Sequence, residues 1–141
     1  MSVNLIKLCV GIKSLEQLSG WQNQKSYDYH GVKAVCHVTR NSPKRKDELL
    51  DGGSLYWVIK GSVLARNKII GFDEIIDADG KKYCGIVLET PFVVTEPKQH
   101  RPFQGWRYYT NDRIPADVLS GGAAGDLPQE MLSELRALGL L

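Results

Sequence analysis

A chain of 141 residues, 43% hydrophobic and 24% charged, has the length and composition of one folded domain and excludes wholesale disorder. No apolar run approaches the roughly 18 residues of a membrane span, and the alternating start Met1 to Val10 lacks a basic leader, a long apolar core and a cleavage site. Three widely spaced cysteines (Cys9, Cys36 and Cys84) suit reduced thiols better than a disulfide framework, so a cytoplasmic protein without membrane contact is expected.

In chain order, Val3 to Val10 reads as a strand with Ile6, Leu8 and Val10 on one face. Ser14 followed by Gln17 is a capping box, which predicts a helix from Leu15 towards Gln24. Tyr27 to Gly31 reads as a loop and Val32 to Thr39 as a strand. Ser42-Pro43 has the form of an N-cap and a first-turn proline, so a short helix is expected to about Leu50, stopped by Asp51-Gly52-Gly53. Leu55 to Lys60 is a strand. Ser62 to Ile76 suits one bent strand or two, with Gly71 at a bulge. Asp79-Gly80 predicts a type I′ hairpin into a strand over Lys82 to Glu89. Short strands are expected at Phe92 to Thr95 and Gly105 to Tyr109. At the end, Asp126 and Gln129 form a capping pair before Leu127, Met131, Leu132, Leu135 and Leu138, which share one face of an amphipathic helix. The Gly-rich connector 121–125 is too short to separate a second domain. Strands in the middle and helices at the ends predict a single α+β domain over residues 1–141.

The net charge of +2 is unevenly spread. Residues 31–70 carry eight Lys/Arg against three Asp/Glu, and residues 98–113 carry four against one. Residues 71–97 carry two against six, and the tail from Ile114 one against four. Segregation of this kind bears on partners more than on fold.

Two segments carry the chemistry. In Arg40-Asn41-Ser42-Pro43-Lys44-Arg45-Lys46, a helix beginning at Pro43 would hold three cations in its first turn. Each opposes the macrodipole by roughly 0.3–1 kcal/mol, which points to an external anion such as phosphate. The alternative is a solvated basic turn offset by Asp47 and Glu48. The run His100 to Tyr109 interleaves Arg101 and Arg107 with Phe103, Trp106, Tyr108 and Tyr109, as phosphate contact plus base stacking requires. The alternative is that Phe103 and Trp106 anchor the core. Gly52 to Gly61 is not a phosphate-binding loop, because Lys60 follows a strand and no Gly-Lys-Ser/Thr is present. It reads as a strand with Trp57 and Ile59 inward and Tyr56 and Lys60 outward. His30, His37 and His100 are isolated, so no metal site is expected, and no cofactor is implied. Adjacent Cys36 and His37 point to opposite faces of a strand, which disfavours a nucleophile–base pair.

Four blocks carry a resemblance: Asn4 to Gly11, Thr39-Arg40 with Pro43-Lys44-Arg45, Gly52 to Gly61, and Arg101 to Tyr108. Together they resemble a bacterial family, mostly alphaproteobacterial, catalogued as a domain of unknown function (number 1489). The resemblance implies a cytoplasmic bacterial setting and no mechanism. At fold level, a short helix, the Leu55–Lys60 strand and a long strand ending in a hairpin are similar to the PUA-like group, which includes ASCH and EVE domains. That similarity implies a small mixed or antiparallel β-barrel-like sheet with flanking helices, in a group several of whose members bind RNA or modified bases.

The leading expectation is a nucleic-acid-binding module, for RNA more than duplex DNA. Arg40, Lys44, Arg45, Arg101 and Arg107 would contact phosphate, Lys60, Arg66 and Gln104 would extend the face, and Trp106 or Tyr108 would stack on a base. This requires the two basic segments to converge. One alternative is a small enzyme or binding protein for a phosphorylated metabolite or nucleotide, with Arg40, Lys44 and Arg101 in one cleft beside a histidine. Another is a protein-interaction scaffold whose cations pair with the acidic hairpin. The sequence carries no signal for oligomeric state.

Overall fold

Ser14 Oγ accepts from the Gln17 N–H at 3.2 Å, and Gln17 Oε1 reaches back to accept from the Lys13 N–H at 2.7 Å. These bonds begin α1 (Leu15–Lys25) where the capping box predicts, and they aim Leu15 and Leu18 into the core. The computed structural model describes residues 3–118, so the Gly-rich connector and the expected C-terminal helix lie outside the described residues.

The strands are β1 (Asn4–Leu8), β2 (Tyr27–Tyr29), β3 (Val32–Thr39), β4 (Ser54–Ile59), β5 (Ser62–Ile76), β6 (Lys82–Glu89), β7 (Val93–Gln99) and β8 (Trp106–Tyr109), with α2 (Lys46–Leu50) before β4. They form a sheet in the order β2-β3-β6-β5-β4-β1-β8, antiparallel except for the β1–β4 pair. β7 continues along the edge of β5 that β6 leaves, after a bend at Thr90-Pro91. The sheet is open: among the described residues no ladder joins β8 to β2 or β3, so the expected barrel does not close. The result is one sheet-rich domain with few helices.

β5 is a single long strand whose register shifts between Ile69 and Gly71, the expected bulge. A Cβ at position 71 would overlap the Tyr29 hydroxyl, so glycine is what lets the Tyr29 ring lie against the bulge without shifting. Tyr27 to Gly31 is not a loop throughout. Tyr27–Tyr29 pairs with β3, and the chain reverses at His30 (φ 50°) and Gly31 (φ 86°). The β5–β6 turn also differs from the type I′ expectation. Asp77 accepts from the Gly80 N–H through its carbonyl and from the Asp79 and Lys81 N–H groups through Oδ1, and there only Gly80 takes a positive φ.

β4 is buried along its whole length, on both faces. Its Leu55, Trp57 and Ile59 join Leu5, Leu15, Leu18, Val35, Leu49, Ile86 and Leu88 in the larger core. Its Tyr56 and Val58 join Ile6, Val63, Phe103 and Tyr109 in a second core on the opposite face. Tyr56 is therefore buried rather than outward, because a central strand covered on both sides has no outward face. Each fully buried side chain of this size contributes about 1.5–3 kcal/mol.

Candidate functional site: an aromatic pocket beside a basic loop

β1 pairs with β4 in the register Lys7↔Trp57 and with β8 in the register Lys7↔Trp106. Directly opposed residues share a face, so Trp57, Lys7 and Trp106 stand side by side on the face of the larger core. Next to them the end of β1 and the turn after it, Trp21 of α1, His37 of β3 and Trp57 enclose a pocket of about 410 Å³.

Trp57 is the fixed element of the pocket. It is 1% exposed, and its Nε1 donates to Asn67 Oδ1 at 2.9 Å. Asn67 is itself fully buried. Its Oδ1 also accepts from Gln22 Nε2 at 2.8 Å, and its Nδ2 donates to Gln22 Oε1 at 3.2 Å and to the Glu89 carbonyl at 2.9 Å. This hub ties α1, β5 and the end of β6 to the indole. His37 and Trp21 stand nearly perpendicular to Trp57, with ring centroids 5.1 and 6.4 Å away.

Burial, and then the positive charge of Lys7, push the His37 imidazole down to about 4, so it is neutral near pH 7. Its Nε2 is buried without a hydrogen-bond partner. Burial pushes the Cys9 thiol up to about 12, with Lys7 opposing the rise. A thiol that stays protonated is not a nucleophile, and a base this weak accepts protons poorly at neutral pH. Among the described residues that line the pocket, Lys7 carries the only charge. At neutral pH the lining thus presents an uncharged imidazole and an uncharged thiol beside one cation. No group of three or more His, Cys, Asp or Glu among the described residues is arranged to hold a metal ion.

The loop after β3 crosses to β8 and brings the first basic segment with it. The Asn41 carbonyl accepts from Thr39 Oγ1 and from Trp106 Nε1, each at 2.9 Å. The Tyr108 hydroxyl accepts from the backbone N–H groups of Lys44 at 3.0 Å and Arg45 at 3.2 Å. The Arg45 guanidinium lies 5.2 Å from the Tyr108 ring centroid and also pairs with Glu48. These bonds hold residues 41–45 outside the helix predicted from Pro43. α2 begins only at Lys46, with no side-chain cap, and its first turn contains Asp47 and Glu48. Of the three cations expected in a first helical turn, only Lys46 lies within α2.

Of the sequence-predicted site residues, Lys44, Arg45, Trp106 and Tyr108 are brought together. Arg40 instead lines a cavity with Lys46, Lys82 and the acidic residues Asp73 and Glu74. Arg107 is on the other face of β8, its guanidinium 5.2 Å from the Phe103 ring centroid. Arg101 and Gln104 are exposed in the segment before β8, whose Phe103 packs into the second core. Lys60 sits at φ 51° in the β4–β5 turn. Arg66 is on the opposite face, paired with both carboxylate oxygens of Asp117 at 2.8 and 2.6 Å and with Ser54 Oγ at 3.0 Å. Sequence reasoning missed Lys7, Cys9, Trp21 and His37 as pocket residues. They come from β1 and the residue after it, α1 and β3, and no motif spacing links them.

Fold and site define a small open-sheet domain in which an aromatic pocket adjoins a basic loop. No helix among its described residues is long and apolar enough to cross a membrane. A family model described as "Protein of unknown function (DUF1489)" matches residues 5–141, and the chain belongs to that family. No curated protein and no solved structure matches it.

Proposed function

We propose that the protein binds nucleic acid, single-stranded RNA rather than duplex DNA, where the 41–45 loop meets β8. The observation that supports this is the Tyr108 hydroxyl held by the Lys44 and Arg45 N–H groups. It sets the Lys44–Arg45 part of one basic segment, with the Arg45 guanidinium 5.2 Å from the Tyr108 ring centroid, against the aromatic strand of the other. Lys and Arg at phosphates supply the sequence-independent part of such binding, and half-buried rings beside them offer stacking surface. A helix is one element that reads a duplex groove, and the helix that follows this loop, α2, has only five residues. A single strand needs only rings and cations.

The test is fluorescence anisotropy of labelled oligo(U), and of a duplex DNA of equal length, over a range of salt concentrations. The single strand is expected to bind more tightly, with a log–log salt slope of about −0.7 per phosphate neutralised. A flat salt response, or no binding at low salt, overturns the reading.

A second reading, a free nucleotide or phosphorylated metabolite, draws on the pocket beside Lys7. The cleft expected for it is not what supports it: Arg40 lines the acidic-hairpin cavity while Lys44 lies at Tyr108. The scaffold reading draws on that same cavity, where Lys82 is 3.5 Å from Glu74.

A further inference from the structure

Lys7 joins the pocket to the basic loop. On one side it is opposed by Trp57, the locked ring of the pocket. On the other it is opposed by Trp106, whose indole N–H holds the Asn41 carbonyl at the start of the loop. We propose that the pocket takes one nucleobase of the bound strand, seated against Trp21 and His37, with Lys7 at the attached phosphate. The inference rests on the nucleic-acid reading above and assigns that strand a subsite of its own.

Size, shape and sign of charge carry it. A pocket of about 410 Å³ accommodates a base with its sugar and is far too small for a helix or a duplex. Trp21 and His37 pack at 79° and 89° on an indole that Asn67 prevents from turning away, so the pocket presents fixed aromatic walls to a planar ring. Three aromatic rings around a pocket also suit a quaternary ammonium ion. Here Lys7 lines the pocket, no carboxylate does so among the described residues, and a cation would be repelled. The neutral state of His37 adds no second charge, so the sign that remains is an uncharged ring carrying an anionic group. A nucleobase on a phosphodiester backbone has that chemistry. A strand leaving the pocket past Lys7 reaches Trp106 and then Lys44 and Arg45.

The test uses the full chain, two of whose three tryptophans line the pocket. Intrinsic fluorescence is titrated with uridine 5′-monophosphate, adenosine 5′-monophosphate, inorganic phosphate and oligo(U). A mononucleotide is expected to give a saturable change that phosphate alone does not. Trp21→Leu and Lys7→Gln are expected to weaken the mononucleotide and the strand alike, by about tenfold. Lys44→Ala combined with Arg45→Ala is expected to weaken only the strand and to leave the mononucleotide unaffected. His37→Leu guards against loss of fold: it removes a buried polar atom that has no partner, so the melting temperature is expected to hold or rise while the mononucleotide is lost.

Salt-dependent strand binding that ignores Trp21→Leu, Lys7→Gln and His37→Leu overturns the subsite and spares the nucleic-acid reading. A mononucleotide that binds in the pocket, with oligo(U) no tighter, keeps the base subsite and overturns the strand reading in favour of a free nucleotide. Failure of both ligands overturns both.

Discussion

The two faces of the β1–β4 pair treat charge in opposite ways. On one, Arg66 is clasped by Asp117 and Ser54. There Asn4 Nδ2 donates to the Tyr109 carbonyl and to Asn111 Oδ1 while Asn4 Oδ1 accepts from the Ser54 N–H, so polar groups are answered within the chain. The Tyr109 hydroxyl, buried without a partner, is the exception on that side. On the other face Lys7 stands between two tryptophans, His37 Nε2 has no partner, and the pocket lacks a carboxylate among the described residues. A cation answered by its own chain serves the fold, whereas one set among aromatic rings without an acid is left to solvent or a ligand. Counting cations along the sequence cannot separate the two kinds, which is why Arg66 was a candidate and Lys7 was not.

The largest expected effect comes from breaking the hub that serves the pocket face. Asn67→Leu leaves the Trp57 N–H, the Gln22 amide and the Glu89 carbonyl unpaired. At about 1–3 kcal/mol for each buried orphan, the loss of stability is about 3–9 kcal/mol by urea denaturation at pH 7. A loss under about 1 kcal/mol would show that the hub does not hold Trp57.

Next is the pH dependence of the same face. The folded protein lowers His37 from 6.5 to about 4, so folding favours the neutral ring. The stability tied to it is complete above the unfolded value and is lost as pH falls from 6.5 through 4, on the order of 3 kcal/mol. The measurement is the difference between wild type and His37→Leu in urea melts at pH 7 and pH 4. A difference that does not change with pH would mean that His37 titrates normally.

Asp117→Asn probes the paired face. It opens the bidentate bond to Arg66 but keeps Ser54 Oγ, and with both side chains partly exposed the expected loss is about 1 kcal/mol, read as a lower melting temperature. No loss would erase the contrast between the faces. The smallest effect is Glu48→Gln. It opens the exposed Arg45–Glu48 pair, should leave melting unchanged, and should tighten oligo(U) modestly by releasing a cation beside Tyr108. Weaker oligo(U) binding would argue that Glu48 positions Arg45 rather than competing for it.

Elements whose signals are local were legible in the sequence. The Ser14–Gln17 box starts α1, the stretches Val32–Thr39 and Lys82–Glu89 are strands end to end, and Gly71 marks the bulge of β5. Phe103 is a core anchor, as one reading of its segment held, and Trp106 packs half-buried against the larger core. The Ser42-Pro43 helix start has an equally good local signal and did not prevail. Capping contributes only about 1 kcal/mol, and partners more than sixty residues away, Trp106 and Tyr108, hold the loop outside the helix instead. By itself the sequence determined strand and helix identity where hydrophobic period and caps agreed, and it marked two basic segments. Only the tertiary structure decided that these segments meet through Asn41 and Tyr108, that the sheet stays open, and that Lys7, Trp21, His37 and Trp57 share one pocket. Those outcomes depend on which distant group answers each N–H, carbonyl and charge, and no local pattern encodes that.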